Sequence, residues 1–588
     1  MSDSIAEQLS ARTGEAFAHA GLDPALGRTA RSDRPDLAPY QCNGALPAGK
    51  AAGRNPREIA EEIRAQLAED PAIESVEVAG PGFLNITPSA SLYTSRANAL
   101  AADARAGAGE VETARRVLID FGGPNVAKPM HVGHIRSAVI GDSLQRLFKF
   151  RGDEVKSDVH LGDWGLQMGH LITELEDEQP DLVYFKADVE GPYPDEPPVS
   201  IEDLARLYPQ ASAKAKEDPE RLQRSRRATA ELQAGRAGYR ALLKHFIDVS
   251  VATLKADYGR LGVSFDLWKG ESDVDPLVGE LVEDFKARGV AEESEGAFVV
   301  RVAREDDKKE LAPLILVSSE GSALYGTTDL ATILDRKRYF DPELVLYVVD
   351  LAQADHFEQV FRAAYKAGLA EEGTLEHVKF GTVNGPDGKR LRTREGGTVR
   401  LSDLIGQALE RARARLEEAH LAEDLGADER EAVAHKVAVA ALKFADLQNV
   451  RTTNYIFDLD RFTSFEGKTG PYLLYAAVRI KSVMRKAAEA GLAPGEITIE
   501  TPEERGLVDA LDGFDAACAA VYDRRSPHFL CEHAFNLAQA FSKFYDACPI
   551  IQAETDAQKA SRLALAGAAL KQLELALGLL GIEAPERM

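Results

Sequence analysis

Apolar and polar positions divide the chain into stretches with different spacing. Residues 1–108 combine the helical spacing of "NPREIAEEIRAQLAED" with the alternating positions of "IESVEVAGPGFLNITPS". The first pattern places apolar side chains on one helix face, and the second places them on one face of a strand. The Pro-Gly pair in the second stretch is typical of a turn. These residues therefore predict a small α/β domain, with "AADARAGAGE" as the linker that follows it.

The pattern changes at residue 116, where the compact apolar run "RVLIDF" begins. Such a run is typical of a strand that helices cover on both faces, and a bend and a helix beginning near His131 follow it. Later stretches repeat this order, as in "LVLYVVDLAQADHFEQVFRAAYKAG". We therefore predict a Rossmann-like parallel sheet over residues 109–405, with ligands at the carboxyl ends of its strands. Charged, Pro-rich text at about 173–275 predicts a helical insertion in this domain.

Helical spacing dominates the last third of the chain. It runs from "LSDLIGQALERARARLEEAH" to "ALKQLELALGLLGIE" without a clear strand signal. Apolar stripes of this kind are most simply the core of a helical bundle. The fold class we expect is therefore α/β, with a small α/β domain before the Rossmann-like domain and an all-α bundle over residues 406–588.

Composition and charge exclude several classes of protein. A chain of 588 residues, 45% of them hydrophobic, can bury three or four domain cores. No apolar run approaches the ~20 residues that span a bilayer, and the first residues lack the pattern of a signal peptide, so we expect a cytoplasmic protein with no membrane partner. The net charge of −25 opposes indiscriminate binding to DNA, although local basic clusters allow localised contact with a nucleic acid.

Two histidines follow the first strand of the predicted sheet, in "PNVAKPMHVGH". His131 and His134 are three residues apart, so in a helix they project from one face. They could ligate a metal, stabilise a helix start or donate hydrogen bonds to a bound phosphate. A helical zinc pair normally has i, i+4 spacing with an intervening glutamate and a third ligand, none of which this stretch provides.

The phosphate interpretation explains more of the stretch. A helix amino terminus offers free N–H groups and the positive end of a dipole, and Gly133 leaves room for close approach. Imidazoles can then donate hydrogen bonds to charge that builds on an α-phosphate, while Lys128 contributes a fixed cation. The stretch therefore predicts electrostatic catalysis of a displacement at phosphorus, with no metal held by the protein itself.

The same stretch resembles the HIGH signature of class I aminoacyl-tRNA synthetases, in the form typical of arginyl-tRNA synthetases. Further stretches resemble that family in its order: "HLGDWGLQMGH", "FDLWKGES", "ESEGAFVV", "LYGTTD", "NGPDGKRLRTREGGTV" and "LLGIEAPERM", with "YQCNGA" and "GPGFLNI" in the amino-terminal part. The resemblance, to the bacterial type, implies an enzyme that activates L-arginine with Mg-ATP and transfers it to tRNA(Arg). It further implies that activation needs bound tRNA.

The resemblance also implies roles for individual residues. A pocket for a planar, permanently charged guanidinium needs carboxylates and an aligned acceptor. The family's positions for the arginine side chain correspond to Glu293, Tyr325 and Asp329, and those for the α-amino group correspond to Asn125 and Gln353. The ATP-binding and catalytic positions correspond to Lys128, His131, Gly133, His134, Lys389 and Arg392.

The second catalytic loop departs from the class pattern. Class I enzymes usually present a Lys-Met-Ser-Lys-Ser loop, whereas "KRLRTR" places Arg392 at the second lysine. Arginine keeps the charge but is bulkier and less hydrated. The resembled family is thought to compensate with a lysine just ahead of the first histidine, the position that Lys128 occupies. For Lys389 and Arg392 the alternative is a basic surface loop with no bound phosphate.

The helical tail resembles an anticodon-binding bundle. Unpaired bases are read by stacking on aromatic faces, so Tyr472 and Tyr545 are candidate contacts, with burial in the core as the alternative. Gln41 and Asn43 are assigned to the outer corner of the tRNA by analogy alone. We expect a monomer.

Two other classes of protein share part of this pattern. A small-molecule nucleotidyltransferase would use the histidine helix but not the long helical tail. A catalytically silent tRNA-binding paralogue would have lost His131, His134 or the pair Tyr325 and Asp329, and all four are present.

Overall fold

An antiparallel sheet with helices on it forms the first part of the chain. The structure, a computed structural model, describes residues 3–186, 189–319, 322–391 and 399–588. The first elements are α1 (Ile5–His19), β1 (Thr29–Arg31), β2 (Tyr40–Cys42), α2 (Ala45–Ala52), α3 (Pro56–Leu67), β3 (Ile73–Ala79), β4 (Phe83–Pro88) and α4 (Ala90–Ala102). The strand order is β1-β2-β4-β3. Ile59 and Ile63 of α3 and Leu84 and Ile86 of β4 are fully buried in its core, as the two spacings predict.

A parallel sheet of five strands follows. The elements of this part of the chain, in order, are β5 (Arg116–Phe121), α5 (Gly133–Arg151), β6 (Glu154–Leu161), α6 (Leu166–Glu178), α7 (Ile201–Glu217), α8 (Pro219–Gln233), α9 (Ala237–Arg260), β7 (Leu267–Gly270), α10 (Glu271–Ala287), β8 (Glu292–Ser294), β9 (Ala297–Val300), β10 (Leu314–Val317), α11 (Tyr325–Tyr339), β11 (Leu344–Val348), α12 (Ala354–Lys366), β12 (Leu375–His377) and β13 (Val383–Asn384). The parallel sheet contains β5, β6, β7, β11 and β12. The order is β12-β11-β5-β6-β7, and every neighbouring pair is parallel.

This order confirms the predicted Rossmann-like sheet. The chain winds outward from β5 through β6 to β7, and it then returns to the other side of β5 to add β11 and β12. The connection after β5 and the connection after β11 therefore run toward opposite edges of the sheet. Such a switch point opens a crevice between β5 and β11 at the carboxyl ends of the strands. Helices α7 to α9 lie between β6 and β7 along the chain, and β8, β9 and β10 form a separate antiparallel sheet.

The last part of the chain is almost entirely helical, as predicted. Its elements are α13 (Leu401–Glu418), α14 (Ala427–Leu447), β14 (Tyr455–Ile456), α15 (Leu459–Phe462), α16 (Gly470–Glu489), α17 (Pro502–Asp512), α18 (Phe514–Arg524), α19 (His528–Ala547) and α20 (Asp556–Leu579). The short strand β14 pairs with β13, so the helical part is tied to the segment after the parallel sheet. Among the residues that the structure describes, no helix is long and apolar enough to cross a membrane.

Helix α5 connects the parallel sheet to the helical bundle through two buried ion pairs. Arg136 on α5 lies 3.1 Å from the carboxylate of Asp446 on α14, and the two side chains are 1% and 0% exposed. Lys443, also on α14, donates to Asp142 on α5 at 2.9 Å, and both are fully buried. Burial without a partner would be costly for any of these charges, so the pairs fix the position of α5 against the bundle.

The pair between Arg136 and Asp446 gives a stability prediction. Asp446→Ala leaves a buried guanidinium without its carboxylate, which typically costs about 3–5 kcal/mol of folding free energy. We expect thermal denaturation followed by circular dichroism to show a midpoint several degrees lower. Glu431→Ala is the matched control on the same helix, because Glu431 pairs with Arg413 at an exposed site, where such a pair is worth at most about 1 kcal/mol. Equal midpoints for the two variants contradict the role of the buried pair.

Candidate active site

A cavity of about 670 Å³ opens at the switch point of the parallel sheet. Its floor includes Asp120 and Phe121 at the end of β5 and Val348 at the end of β11. The cavity collects most of the residues singled out in the sequence: Asn125, His131, Gly133, His134, Tyr325, Asp329 and Gln353. A second cavity, of about 590 Å³, lies between α5, α9, α14 and residues after α20, and it contains none of the predicted site residues.

The two histidines lie side by side where α5 begins. Their ring centroids are 4.0 Å apart, although His131 precedes the helix, which starts at Gly133. The backbone N–H of His131 donates to Nδ1 of His134 at 3.0 Å, and the N–H of Gly133 donates to Nδ1 of His131 at 3.1 Å. Each Nδ1 is therefore an acceptor, so a neutral ring carries its proton on Nε2.

Burial keeps both rings neutral. It lowers the pKa of His134 to about 3, with the neighbouring His131 adding to the effect. Burial also lowers the pKa of His131, and the nearby Arg390 and Lys128 contribute in the same direction. The sequence suggested that free N–H groups of the helix would meet a phosphate. The N–H of Gly133, the first residue of the helix, binds an imidazole instead, as does the N–H of His131 just before the helix, and the Nε2–H groups take over as donors.

Gly133 has a closer neighbour than the predicted phosphate. A Cβ atom at this position would come within 2.8 Å of Cε1 of His131. The glycine therefore makes room for the first imidazole, so that the ring can accept from the backbone. Gly162 makes room in a similar way for Asn125, whose Oδ1 would lie 2.1 Å from an added Cβ.

Two acidic side chains line the part of the cavity beneath α11. Tyr325 is the first residue of α11, and Asp329 follows it one turn later. Asp329 accepts a hydrogen bond of 2.6 Å from Nε2 of His356, and this bond raises the pKa of His356. The second acidic side chain is Glu271, the first residue of α10. Burial, with the charges of Asp163 and Asp329, raises the pKa of Glu271 to about 8.

Glu271, rather than Glu293, joins Asp329 in lining this part of the cavity. Glu293 lies on β8, exposed and paired with Phe298 of β9, and it is absent from the described lining of the cavity. The structure therefore does not bring Glu293 to this cavity, because the chain folds β8 into a different sheet. The motif "FDLWKGES" contained the signal for Glu271, since it ends a strand of the parallel sheet at the edge where the ligands were expected.

Two sequence motifs together fix the position of Glu271. Asp163 of "HLGDWG" accepts from the backbone N–H of Ser272 at 2.8 Å and from its hydroxyl group. A Cβ at Gly270 would come within 2.5 Å of the Asp163 carboxylate, so only glycine fits there. The carboxylate of Asp163 thus holds the first turn of α10, and the side chain of Glu271 is presented to the cavity.

Among the described residues of the basic loop after β13, Arg390 lines the cavity and donates to Asp350 at 3.3 Å. Both Arg390 and Lys389 are exposed, and Lys389 lies outside the lining. The sequence singled out Lys389 rather than Arg390, and spacing alone does not separate two adjacent basic residues. Arg392 lies outside the described residues. His160 was also missed: it lines the cavity, and neither ring nitrogen has a hydrogen-bond partner among the residues with described positions.

Lys128 lies beside the cavity rather than in its wall. Its ammonium group is 4.3 Å from the ring centre of Tyr208 on α7. Its charge nevertheless reaches His131, since it contributes to the lowered pKa of that ring. Lys128 therefore lies close enough to His131 to act on its charge, with its ammonium group against a ring of α7.

The candidate tRNA contacts lie in the two parts of the chain that flank the parallel sheet. Gln41 on β2 is half-buried and donates to Asn85 at 2.9 Å, while Asn43 is exposed. Tyr472 is half-buried against Phe535, and the half-buried ring of Tyr545 packs on Phe541 under the guanidinium of Arg479. A further aromatic side chain of α16, Tyr475, is 40% exposed and was not singled out from the sequence.

The part of the chain with described coordinates contains no group of three or more His, Cys, Asp or Glu side chains arranged to hold a metal ion. The donors that face the cavity near the histidines are nitrogen groups, which suit an anion rather than a cation.

Models of three known domains match nearly the whole chain. A model described as the catalytic domain of class I (R) tRNA synthetases matches residues 96–459. Those of the arginyl tRNA synthetase N terminal domain and the DALR anticodon binding domain match residues 2–87 and 473–588.

Curated relatives and solved structures agree with these matches. The chain is 71% identical over 586 residues to the arginine–tRNA ligase of Maricaulis maris and 62% identical over 588 residues to that of Hyphomonas neptunium, with 100% of each chain covered. The arginyl-tRNA synthetase of Plasmodium falciparum has a similar fold, with a TM-score of 0.79 at 24% identity over 100% of this chain and 99% of the other. That of Thermus thermophilus gives 0.77 at 23% identity over 99% and 100%.

The hydrogen bonds of the two histidines predict their protonation state. At about pH 7 both rings are expected to be neutral with the proton on Nε2, because each Nδ1 accepts a backbone N–H and each pKa is lowered. NMR of protein carrying ¹⁵N-labelled histidine measures this directly, with His131→Asn and His134→Asn providing the assignments. A doubly protonated ring at neutral pH, or a proton on Nδ1 of either residue, contradicts the prediction.

Proposed function

The chain belongs to the arginyl-tRNA synthetases, class I enzymes that use ATP to ligate arginine to tRNA, and from this we propose that the cavity between β5 and β11 is where its arginine is activated. One observation carries the proposal. A single cavity places two neutral Nε2–H donors at the start of α5 and two carboxylates, Glu271 and Asp329, near the start of α11. The first pair suits phosphate and the second suits a guanidinium.

In the proposed first step, the arginine carboxylate attacks the α-phosphate of ATP in line and pyrophosphate leaves. Charge builds on the phosphate oxygens as the new bond forms. The Nε2–H groups of His131 and His134 donate to these oxygens, and they are held in place before the reaction by the backbone hydrogen bonds at Nδ1. Lys128 and Arg390 add positive charge, Lys128 beside the histidines and Arg390 from the loop after β13, the loop that also carries Lys389 and Arg392.

The proposed arginine subsite uses charge and a planar contact. The guanidinium is permanently charged and pairs with the carboxylates of Glu271 and Asp329, while Tyr325 lies beside it, one turn before Asp329 on α11. Asp329 keeps one oxygen occupied by His356, which orients the carboxylate without removing its charge. Asn125 and Gln353 line the same cavity and are assigned to the α-amino group.

Mg²⁺ is assigned to the nucleotide rather than to the protein. The described residues offer no cluster of acidic and imidazole ligands for it. It would therefore arrive with the phosphates of ATP as part of the substrate, and its charge would offset that of the phosphate oxygens.

In the second step a ribose hydroxyl group at the 3′ end of tRNA(Arg) attacks the carbonyl carbon of the arginyl adenylate, the bond from that carbon to the phosphate oxygen breaks, and AMP leaves. We assign anticodon contact to the helical part, with Tyr472, Tyr545 and the more exposed Tyr475 as stacking candidates, because unpaired bases stack on aromatic faces. Gln41 and Asn43 are assigned to the outer corner of the tRNA. We further infer a cytoplasmic monomer with neither DNA nor a membrane as a partner, in which activation waits for bound tRNA.

The raised pKa of Glu271 predicts that arginine binding depends on pH. Without ligand the pKa is about 8, so the group is largely protonated at neutral pH; a bound guanidinium favours the carboxylate and lowers its pKa. Binding should therefore release a proton, and affinity should rise between about pH 6 and 8, by up to about tenfold per unit, and then level off. Isothermal titration calorimetry in buffers of different ionisation enthalpy measures both effects.

Two variants separate this prediction from other causes of pH dependence. Glu271→Gln should weaken arginine binding and abolish the proton release. Glu293→Gln is the control, because Glu293 is exposed on β8, and it should bind arginine like the unchanged protein. Proton release that survives in Glu271→Gln would assign the titration to another group.

An exchange assay tests the proposed reaction against the two alternatives. ATP–pyrophosphate exchange should occur with arginine but not with other amino acids, and only when tRNA(Arg) is present. Exchange at full rate without tRNA would refute the tRNA dependence. Absence of exchange under every condition would favour a silent tRNA-binding protein, and activity with a small molecule that is not an amino acid would favour a nucleotidyltransferase.

A further inference from the structure

The loop that precedes the histidines is held by the helices inserted between β6 and β7. The backbone N–H of Ala127 donates to the hydroxyl group of Ser250 on α9 at 3.0 Å, in a buried position. The side-chain amide of Gln167 on α6 donates to the carbonyl group of Val126. Ala127 has a φ of +63°, which costs a non-glycine residue about 1 kcal/mol or more, so these contacts hold an unfavourable backbone conformation.

A third contact from the inserted helices reaches the side chain of Lys128. Its ammonium group lies 4.3 Å from the ring centre of Tyr208 on α7, within the range of a cation–π interaction. The ring of Tyr208 is also close enough to Tyr325 to contribute to that residue's raised pKa. Tyr208 therefore lies close to the cation beside the histidines and within electrostatic reach of Tyr325.

An aromatic partner differs from a carboxylate in its effect on Lys128. A lysine side chain in water samples many rotamers, and a partner is needed to restrict them. A carboxylate would restrict the side chain but neutralise its charge. The face of a ring attracts the ammonium and leaves the full positive charge for another ligand. Among the residues with described coordinates, no carboxylate forms an ion pair with Lys128, whose ammonium group contacts the ring of Tyr208.

We propose that Tyr208 is a positioning residue for adenylation: its ring holds the ammonium group of Lys128 beside His131, ready to meet the phosphates of ATP. The inserted helices thereby contribute to the first step of the reaction without contacting the reacting atoms. This inference rests on the role in adenylation proposed above for Lys128.

A double-mutant cycle tests the inference. The unchanged protein, Lys128→Ala, Tyr208→Leu and the double variant are compared in ATP–pyrophosphate exchange with saturating arginine and tRNA(Arg). Tyr208→Leu should lower kcat by roughly 3- to 30-fold, the range that corresponds to one cation–π contact. In the Lys128→Ala background the same change should have no further effect, because the ammonium that the ring positions is gone.

Three controls distinguish an effect of the Tyr208 ring on Lys128 from an effect on the fold. Tyr208→Phe keeps an aromatic face and should retain most of the activity. Tyr339→Leu removes another ring in a cation–π contact, with the ammonium group of Lys156 at 4.7 Å from the ring centre. This variant should leave kcat unchanged. The KM for arginine and the affinity for tRNA should be the same in Tyr208→Leu as in the unchanged protein.

Each outcome bears on a separate claim. If Lys128→Ala retains full activity, the role of Lys128 is wrong and the inference about Tyr208 falls with it. If Lys128→Ala is slow but Tyr208→Leu is as fast as the unchanged protein, or faster, only the inference about Tyr208 is overturned. If Tyr208→Leu slows the Lys128→Ala variant as much as it slows the unchanged protein, the ring acts through the fold and the inference is again overturned.

Discussion

The position of α5 between the parallel sheet and the helical bundle is the constraint on which the site depends. Arg136 and Asp142 lie on this helix two and eight residues after His134, and both pair with buried charges of α14. Separating either pair would leave an unpaired charge in the interior, which is costly. The start of α5 therefore cannot shift without breaking one of the pairs. The sheet supplies the crevice, but the bundle fixes the helix whose first turn faces it.

Within the crevice, many polar side chains are oriented by partners that leave their chemistry intact. Backbone N–H groups fix the tautomer of the two histidines, His356 orients Asp329, and Asp163 holds the turn that presents Glu271. Each partner acts on an atom other than the one that faces the cavity. Preorganisation of this kind stabilises developing charge because the donors need no rearrangement when the reaction begins.

The sequence was sufficient for features that local patterns determine. The spacing of apolar residues and the positions of glycine and proline predicted the parallel sheet, the inserted helices and the helical tail. The spacing of His131 and His134 predicted neighbouring rings. The sequence failed where tertiary contacts choose between similar candidates. Glu271 directly follows one short strand and Glu293 lies within another, and only the sheet to which each strand belongs places Glu271 in the cavity.

The same limit explains why Arg390 and Tyr208 could not be identified from the sequence. Arg390 and Lys389 are adjacent, and their side chains point to different environments that composition does not distinguish. Tyr208 contacts Lys128 across about eighty residues of chain, which no local spacing reveals. The assignments of Gln41, Asn43, Tyr472 and Tyr545 to tRNA stay predictions, because an exposed or half-buried side chain does not by itself identify a ligand.

The ammonium of Lys443 has one more consequence. Besides Asp142 on α5, it donates at 2.9 Å to the carbonyl oxygen of Gly581, just after α20. Three segments distant along the chain thus share one buried charge. If the bundle separated from the sheet, that charge and Asp142 would both enter a half-open interface, so a partly dissociated state carries an electrostatic penalty. The two parts should therefore lose structure together, and a protease should find few partly opened forms to cut.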